Sequence, residues 1–397
     1  WAAARAAAAN VGSERGSYYP QLEGDFNYTR QKSAVSQQLS YQLRTYAPSL
    51  QLQFILFDFG KRAADVEEAK QSLFNANWTH NAAIQNVVLE VEQAFYQYQN
   101  AKAVRQADSA AVDEARANLD ASEERHKAGL ATMADVLQAR SNYAQMKLAL
   151  ESVEGDIQTI RGSLAAAMGL PPTIDYDIAF LPGNPPVESV SQTVEELIRE
   201  AQTNRPDLAA AQATVRGARA HVKSANRARL PEVSLQGNVS RRYYDNPGNY
   251  ADLYLGGAFL SIPLFTGFSR EYDVLEAEAR ASLAEQQFEL LRSQVDLDVW
   301  TSYYDLQTAA ERIATTGDFL SSATESHDVA LERYKAGVGT ILELLAAQTT
   351  LEDARAQNIQ ARTDWYVALA QLAHATGRLE ASSDSNAAKP ETKEDNR

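Results

Sequence analysis

Between Lys61 and Glu124 the chain contains neither proline nor glycine. A stretch of that kind predicts one helix of roughly 95 Å, at about 1.5 Å per residue. Few globular cores can cover such an element, so other long helices have to lie along it. Ile84, Val88, Val91, Phe95 and Tyr98 step 4-3-4-3, the spacing of a coiled-coil seam. The stretch runs into Arg125-His126-Lys127-Ala128-Gly129-Leu130-Ala131-Thr132, and a second helix is predicted from about Thr132 to Met168, stopped by Gly169-Leu170-Pro171-Pro172. A glycine between two helical stretches reads as the tip of a helical hairpin.

The same pattern returns. Arg333-Tyr334-Lys335-Ala336-Gly337-Val338-Gly339-Thr340 repeats the tip, shifted by 208 positions. Val295, Leu297, Val299, Tyr303 and Leu306 stand where Val87, Leu89, Val91, Phe95 and Tyr98 stood. Such agreement marks an internal repeat, which takes precedence over a domain count from length.

Ahead of each hairpin the period changes to two. Leu22, Gly24, Phe26 and Tyr28 alternate with Glu23, Asp25, Asn27 and Thr29, which predicts a strand with one apolar and one wet face. A polar connection over about 30–45 is expected next, then a strand with Tyr46, Pro48, Leu50, Leu52, Phe54 and Leu56 on one face. The first repeat is thus 1–170, with strands near 22–30 and 46–57 and a hairpin near 61–168. A Pro-rich connector covers 171–190. The second repeat, 191–377, opens with a helix near 192–202 and another begun by Pro206. It continues with strands near 233–244 and 252–265 and a hairpin near 269–376. Val233, Leu235, Gly237 and Val239 share one face there, as do Leu253, Leu255, Gly257 and Phe259. The tail, 378–397, has little to bury and reads as disordered. Residues 1–17 are Ala-rich and helical in propensity. Trp1 falls opposite Gln212, so the start of the first repeat, with any targeting signal, is expected to be missing from this stretch.

The formal net charge of −15 argues against a nucleic-acid partner, since no basic stripe is present to neutralise phosphates. There are no cysteines, which removes thiolate catalysis and Cys-ligated zinc. His80, His126, His221, His327 and His374 show no metal spacing, and neither a nucleophile motif nor a phosphate loop occurs. No enzyme, cofactor or metal site is expected. Four strands cannot close a barrel, and an open sheet edge cannot sit in lipid. Two chains would supply eight strands and a filled interior; three would supply twelve and a lumen. Tyr18, Tyr19, Tyr46, Phe57, Phe59, Tyr243, Tyr244, Tyr250, Tyr254, Phe265 and Phe268 flank the strands, as in interfacial girdles. A soluble coiled-coil scaffold is the alternative, and it leaves the strands without purpose.

At this point the residues carry a resemblance. Tyr19-Pro20-Gln21-Leu22 and Leu230-Pro231-Glu232-Val233 precede the strands, and Asn204-Arg205-Pro206-Asp207-Leu208 opens a helix. The paired tips continue into Asp135-Val136-Leu137-Gln138-Ala139 and Glu343-Leu344-Leu345-Ala346-Ala347-Gln348. Taken in order, these motifs resemble the TolC-like outer-membrane efflux family over all but the tail. The resemblance implies a mainly α chain with a transmembrane β-barrel portion, built as a homotrimeric channel-tunnel. It also implies an outer-membrane exit duct of a tripartite efflux or type I secretion system, extending into the periplasm. The partners would be outer-membrane lipid, a periplasmic adaptor protein and an inner-membrane pump.

The family's docking tips carry over to Ala128, Gly129, Leu130, Ala336, Gly337 and Val338. A plain helix-hairpin turn needs the same glycines. The periplasmic gate carries over to Asp135, Tyr334 and Glu343, and in a trimer Glu343 would form a ring of three carboxylates favouring cations. Family members often have an acidic residue at the Ala346 position, and some have a latching arginine at the Gly339 position. A latch between Asp135 and position 339 is therefore not expected here.

Overall fold

The computed structural model describes residues 1–36, 39–179, 185, 192–245 and 248–379. In chain order they form α1 (Ala2–Gly16), β1 (Gln21–Ser36), β2 (Leu39–Phe57), α2 (Lys61–Lys127), α3 (Met133–Ala167), α4 (Val194–Asn204), α5 (Pro206–Arg227), β3 (Glu232–Tyr244), β4 (Tyr250–Ser261), α6 (Ser269–Lys335) and α7 (Ile341–Ala375). This is the mainly helical chain with four strands that the patterns predict. Both long helices have 67 residues and both shorter partners 35, so the repeat holds its 208-residue offset through all four. Among the described residues no helix is long and apolar enough to cross a membrane. The chain divides into two compact units, Trp1–Asn81 with Pro206–Arg292, and Ala82–Arg205 with Ser293–Arg397. That boundary cuts across α2 and α6 rather than between the two repeats.

The first unit holds one antiparallel sheet in the order β1-β2-β3-β4. Both hairpin connections lie at one end, and the links to helices lie at the other. Directly opposed residues on antiparallel strands share a face, so the register sorts the sheet into rows. On the apolar face Leu22, Leu52, Gly237 and Gly256 form one row, and Gly24, Leu50, Val239 and Tyr254 the next. Two rows further towards the hairpins, Tyr28, Tyr46, Tyr243 and Tyr250 cross all four strands at a single level. At the helical end Phe57 packs edge-on to Phe59, and Phe265 to Phe268. The apolar face is open in the single chain: Leu22, Phe26 and Leu260 are each more than 60% exposed.

Three expectations about the strands need correction. The predicted polar connection over 30–45 is ladder almost throughout, with Arg30 opposite Arg44 and Lys32 opposite Gln42. Strand pairing is a backbone interaction, and polar side chains extend it wherever both faces are wet. β4 ends at Ser261 rather than near 265, because Pro263 has no N–H to give the ladder. Leu253, Leu255, Gly257 and Phe259 do share a face, but it is the wet one, opposite Ser240, Asn238, Gln236 and Ser234. β4 is therefore apolar on both sides.

The second unit holds the remaining lengths of α2 and α6, with α3, α4 and α7. Tyr98, Ala101, Ile157 and Leu164 form one buried cluster. Ala323, Leu351 and Ala354 form another. The described part of the connector is pinned to α2: Asp177 accepts from Tyr98 Oη at 3.0 Å and Lys102 Nζ at 2.7 Å. Those bonds hold the Asp177 carboxyl below the usual range, that from Lys102 foremost. Most of 180–190, the Asn246-Pro247 tip and the predicted tail from 380 onward lie outside the described residues.

Candidate functional site at the paired helical tips

Each long helix ends on a glycine with a left-handed backbone, Gly129 at φ 74° and Gly337 at φ 77°. Gly129 N–H donates to His126 O and Leu130 N–H to Arg125 O, at 2.9 and 2.8 Å. Gly337 and Val338 make the same bonds to Tyr334 O and Arg333 O, at 3.0 and 3.1 Å. This is the Schellman pattern, in which only glycine adopts the turning conformation without strain. All six tip residues, Ala128, Gly129, Leu130, Ala336, Gly337 and Val338, are exposed. Leu130 and Val338 are about 70% so. Met133, Leu137 and Leu342 add further exposed apolar surface one to two turns along.

The restarting helices are capped differently. At the first tip Thr132 accepts from Asp135 N–H, while the Asp135 carboxylate accepts from Thr132 N–H at 2.8 Å, a complete capping box. At the second, Thr340 accepts from Glu343 N–H at 3.2 Å. The Glu343 carboxylate points to Arg333 instead, at 3.8 Å with both side chains about half exposed. A Cβ on Gly339 would come within 3.1 Å of the Arg333 Cβ and the Tyr334 N. The turn thus closes around that glycine, and the arginine of some family members has no room there without a shift.

Tyr334 is buried, 6% exposed. Its hydroxyl lies 3.0 Å from Ser122 Oγ of α2, and the Arg125 guanidinium stands 4.8 Å over its ring. Arg125 also donates to Tyr334 O at 2.9 Å. The second tip is thereby tied to the first by α2 side chains. Farther from the tips, Asn118 and Asn142 both donate to Oε1 of the fully buried Gln348. The buried His327 ring brings Nε2 to 2.5 Å from Glu114 Oε1 of α2. Burial pushes the Glu352 carboxyl up to about 6; Arg355, at 2.9 Å, opposes this, and Glu114 and Asp108 reinforce it.

Asp135, Tyr334 and Glu343 are expected from the sequence to act together at the gate. The structure gives them three different environments: a cap, a buried tie and an exposed carboxylate. The tying roles of Ser122 and Arg125, the Gln348 layer and the burial of Glu352 are not visible in the sequence pattern alone. The repeat does mark the position of Glu352, which stands where the first hairpin has Ala144. Among the described residues no group of three or more His, Asp or Glu is placed to hold a metal ion.

Residues 1–170 and 197–378 match the model of the family described as outer membrane efflux protein. Protein CyaE of Bordetella pertussis is 30% identical over 372 residues, 90% of this chain and 76% of that protein. Outer membrane efflux protein BepC of Brucella suis is 25% identical over 387 residues, 94% of this chain and 80% of that protein. The crystal structure of outer membrane protein VceC from Vibrio cholerae superposes with a TM-score of 0.80 at 23% identity, covering 95% of this chain and 91% of that one.

Proposed function

The chain belongs to the outer membrane efflux protein family and serves as an exit duct in the outer membrane, and on that premise we propose that three copies close one twelve-stranded barrel around a common lumen. The observation that carries this reading is the sheet. Among the described residues β1 and β4 have no partner on their outer edges, and an unpaired edge is not tolerated in lipid. The apolar face runs between a row of tyrosines and a set of phenylalanines, matching an outer-membrane band with a girdle at each interface. The wet face carries Glu23, Gln51, Gln53, Gln236 and Asn238. Eight strands leave space only for packed side chains, so these long polar groups favour twelve.

The domain organisation follows. The two repeats, 1–170 and 191–377, each give two strands to the barrel and one hairpin to a periplasmic tunnel. The tips, Ala128 to Leu130 and Ala336 to Val338, are the docking surface for a periplasmic adaptor, which couples the duct to an inner-membrane pump. Glu343 forms a carboxylate ring at the mouth beside Arg333, and Tyr334 anchors the second tip beneath Arg125. The chain carries out no chemistry; the pump supplies the energy.

The absence of cysteine gives a clean test. Leu22→Cys on β1 with Tyr254→Cys on β4 should yield disulfide- or linker-joined species up to trimer in outer-membrane vesicles. A monomer that is soluble without detergent overturns the reading. Single-channel recording of the Glu343→Ala trimer tests the gate, with weaker cation selectivity expected; unchanged selectivity removes Glu343 from it.

A further inference from the structure

Beyond the tyrosine row the apolar face of the sheet changes character. One row further towards the hairpins Arg30 stands directly opposite Arg44, and the next position on β1 facing the same way is Lys32. All three are exposed. Like charges directly opposed across a strand pair destabilise the pairing, and little on this face offsets them. Among the described residues beyond the tyrosine row its one carboxylate is Asp245, 3.8 Å from Arg44. Arg30 donates to the neutral Gln42 at 3.1 Å.

The other arginine on this face behaves differently. Arg241 lies one row inside the tyrosines and is matched by Asp252 through two bonds, at 2.6 and 2.8 Å. A cation within the apolar band is thus neutralised, and the cations just outside it keep an excess of positive charge. This sorting by level points to a ligand at the level of the excess. We propose that Arg30, Lys32 and Arg44 form a collar that binds the phosphates of a phosphorylated glycolipid, the lipid A of the outer leaflet, with its acyl chains against Phe26 and the tyrosines. Guanidinium forks suit phosphate geometry. The location fits: tyrosines mark a membrane interface, and the collar lies at the hairpin end, away from every link to the helices. The inference rests on the barrel reading above and adds to it a bound lipid and its recognition.

The test uses native mass spectrometry of the intact detergent-solubilised protein with purified lipid A, alongside planar-bilayer recording. Wild type should retain bisphosphorylated lipid A and lose most retention when the lipid is dephosphorylated. Millimolar inorganic phosphate should not compete, since the acyl chains contribute to binding. The variant Arg30→Gln/Lys32→Gln/Arg44→Gln should bind roughly a hundredfold more weakly, each basic residue near an anionic surface contributing a factor of about five. Its conductance should remain that of wild type. Equal retention of dephosphorylated lipid A by wild type overturns the collar without needing any variant. Equal binding by the triple variant overturns it too, and channels in that experiment leave the duct standing. Absence of channels from wild type overturns the duct, and the collar with it.

Discussion

The two tips share a backbone and differ in what their side chains are free to do. Both turn on a left-handed glycine and both restart on a capping threonine. At the first, Asp135 is consumed by its own helix cap. At the second, Glu343 is one methylene longer, leaves the cap open on that side and faces Arg333 across 3.8 Å. His126 lies 2.9 Å through Nδ1 from Ala131 O within its own turn, whereas its counterpart Tyr334 is buried beneath Arg125. The first tip is thus a self-contained turn. The second depends on a neighbour and keeps a carboxylate in reserve, which is what a tip that moves would need.

The largest difference should come from breaking that dependence. Tyr334→Ala removes a buried ring, the hydroxyl contact to Ser122 and the surface under Arg125, a loss of about 3 kcal/mol or more. His126→Ala removes one part-buried contact within its own turn and should cost about 1 kcal/mol or less. Limited proteolysis of the purified protein reads both: cleavage at both tips is expected in the first variant and neither in the second. If cleavage appears at the second tip alone, Arg125 does not couple the two.

Much of this asymmetry was hidden in the sequence, and the reason is physical. The turns and helix lengths were legible because proline and glycine punctuate a chain locally, and Gly129 and Gly337 have one obvious use. The apolar row through Leu50 and Val239 was legible because alternation is local too. The face taken by Leu253 and Leu255 was not, because it depends on which residue of β3 stands opposite. The same holds for Arg125 and Gln348. Their partners lie on other helices at separations of about two hundred residues, and no spacing within one helix reveals them. Asp135 and Glu343 are both acids three residues after a threonine and differ by one methylene; only the side-chain geometry separates a cap from an exposed pair with Arg333.

The next contrast lies deeper in the hairpins. Glu352 is held half-buried beside Glu114 and Asp108, and the first hairpin has Ala144 in the matching position. The folded protein keeps the Glu352 proton up to about pH 6, whereas the unfolded chain releases it near 4.5. The native state therefore binds more protons in that window. Its stability falls as pH rises from about 4.5 to 6, and the cost, at most about 2 kcal/mol, is fully present above that. Glu352→Gln should remove this part of the pH slope and raise the urea midpoint at pH 7 while leaving it unchanged at pH 4. An unaltered slope would place the proton uptake on another group of the cluster.

The smallest effect on stability separates the two acids themselves. Asp135→Ala opens the capping box and leaves Thr132 N–H without its carboxylate, a cost of about 0.5–1 kcal/mol to the start of α3. Glu343→Ala loses only an exposed pair at 3.8 Å, and pairs of that kind contribute between nothing and about 1 kcal/mol. The functional order should be the reverse. If the reserve carboxylate works at the mouth, Glu343→Ala weakens cation selectivity while Asp135→Ala, despite its larger structural cost, leaves selectivity near wild type. Adding salt sharpens the distinction, because screening removes the field of an exposed ring and leaves a cap hydrogen bond almost untouched. Equal changes in selectivity from both variants, persisting at 1 M salt, would mean that the tips act as matched turns and that their difference has no part in gating.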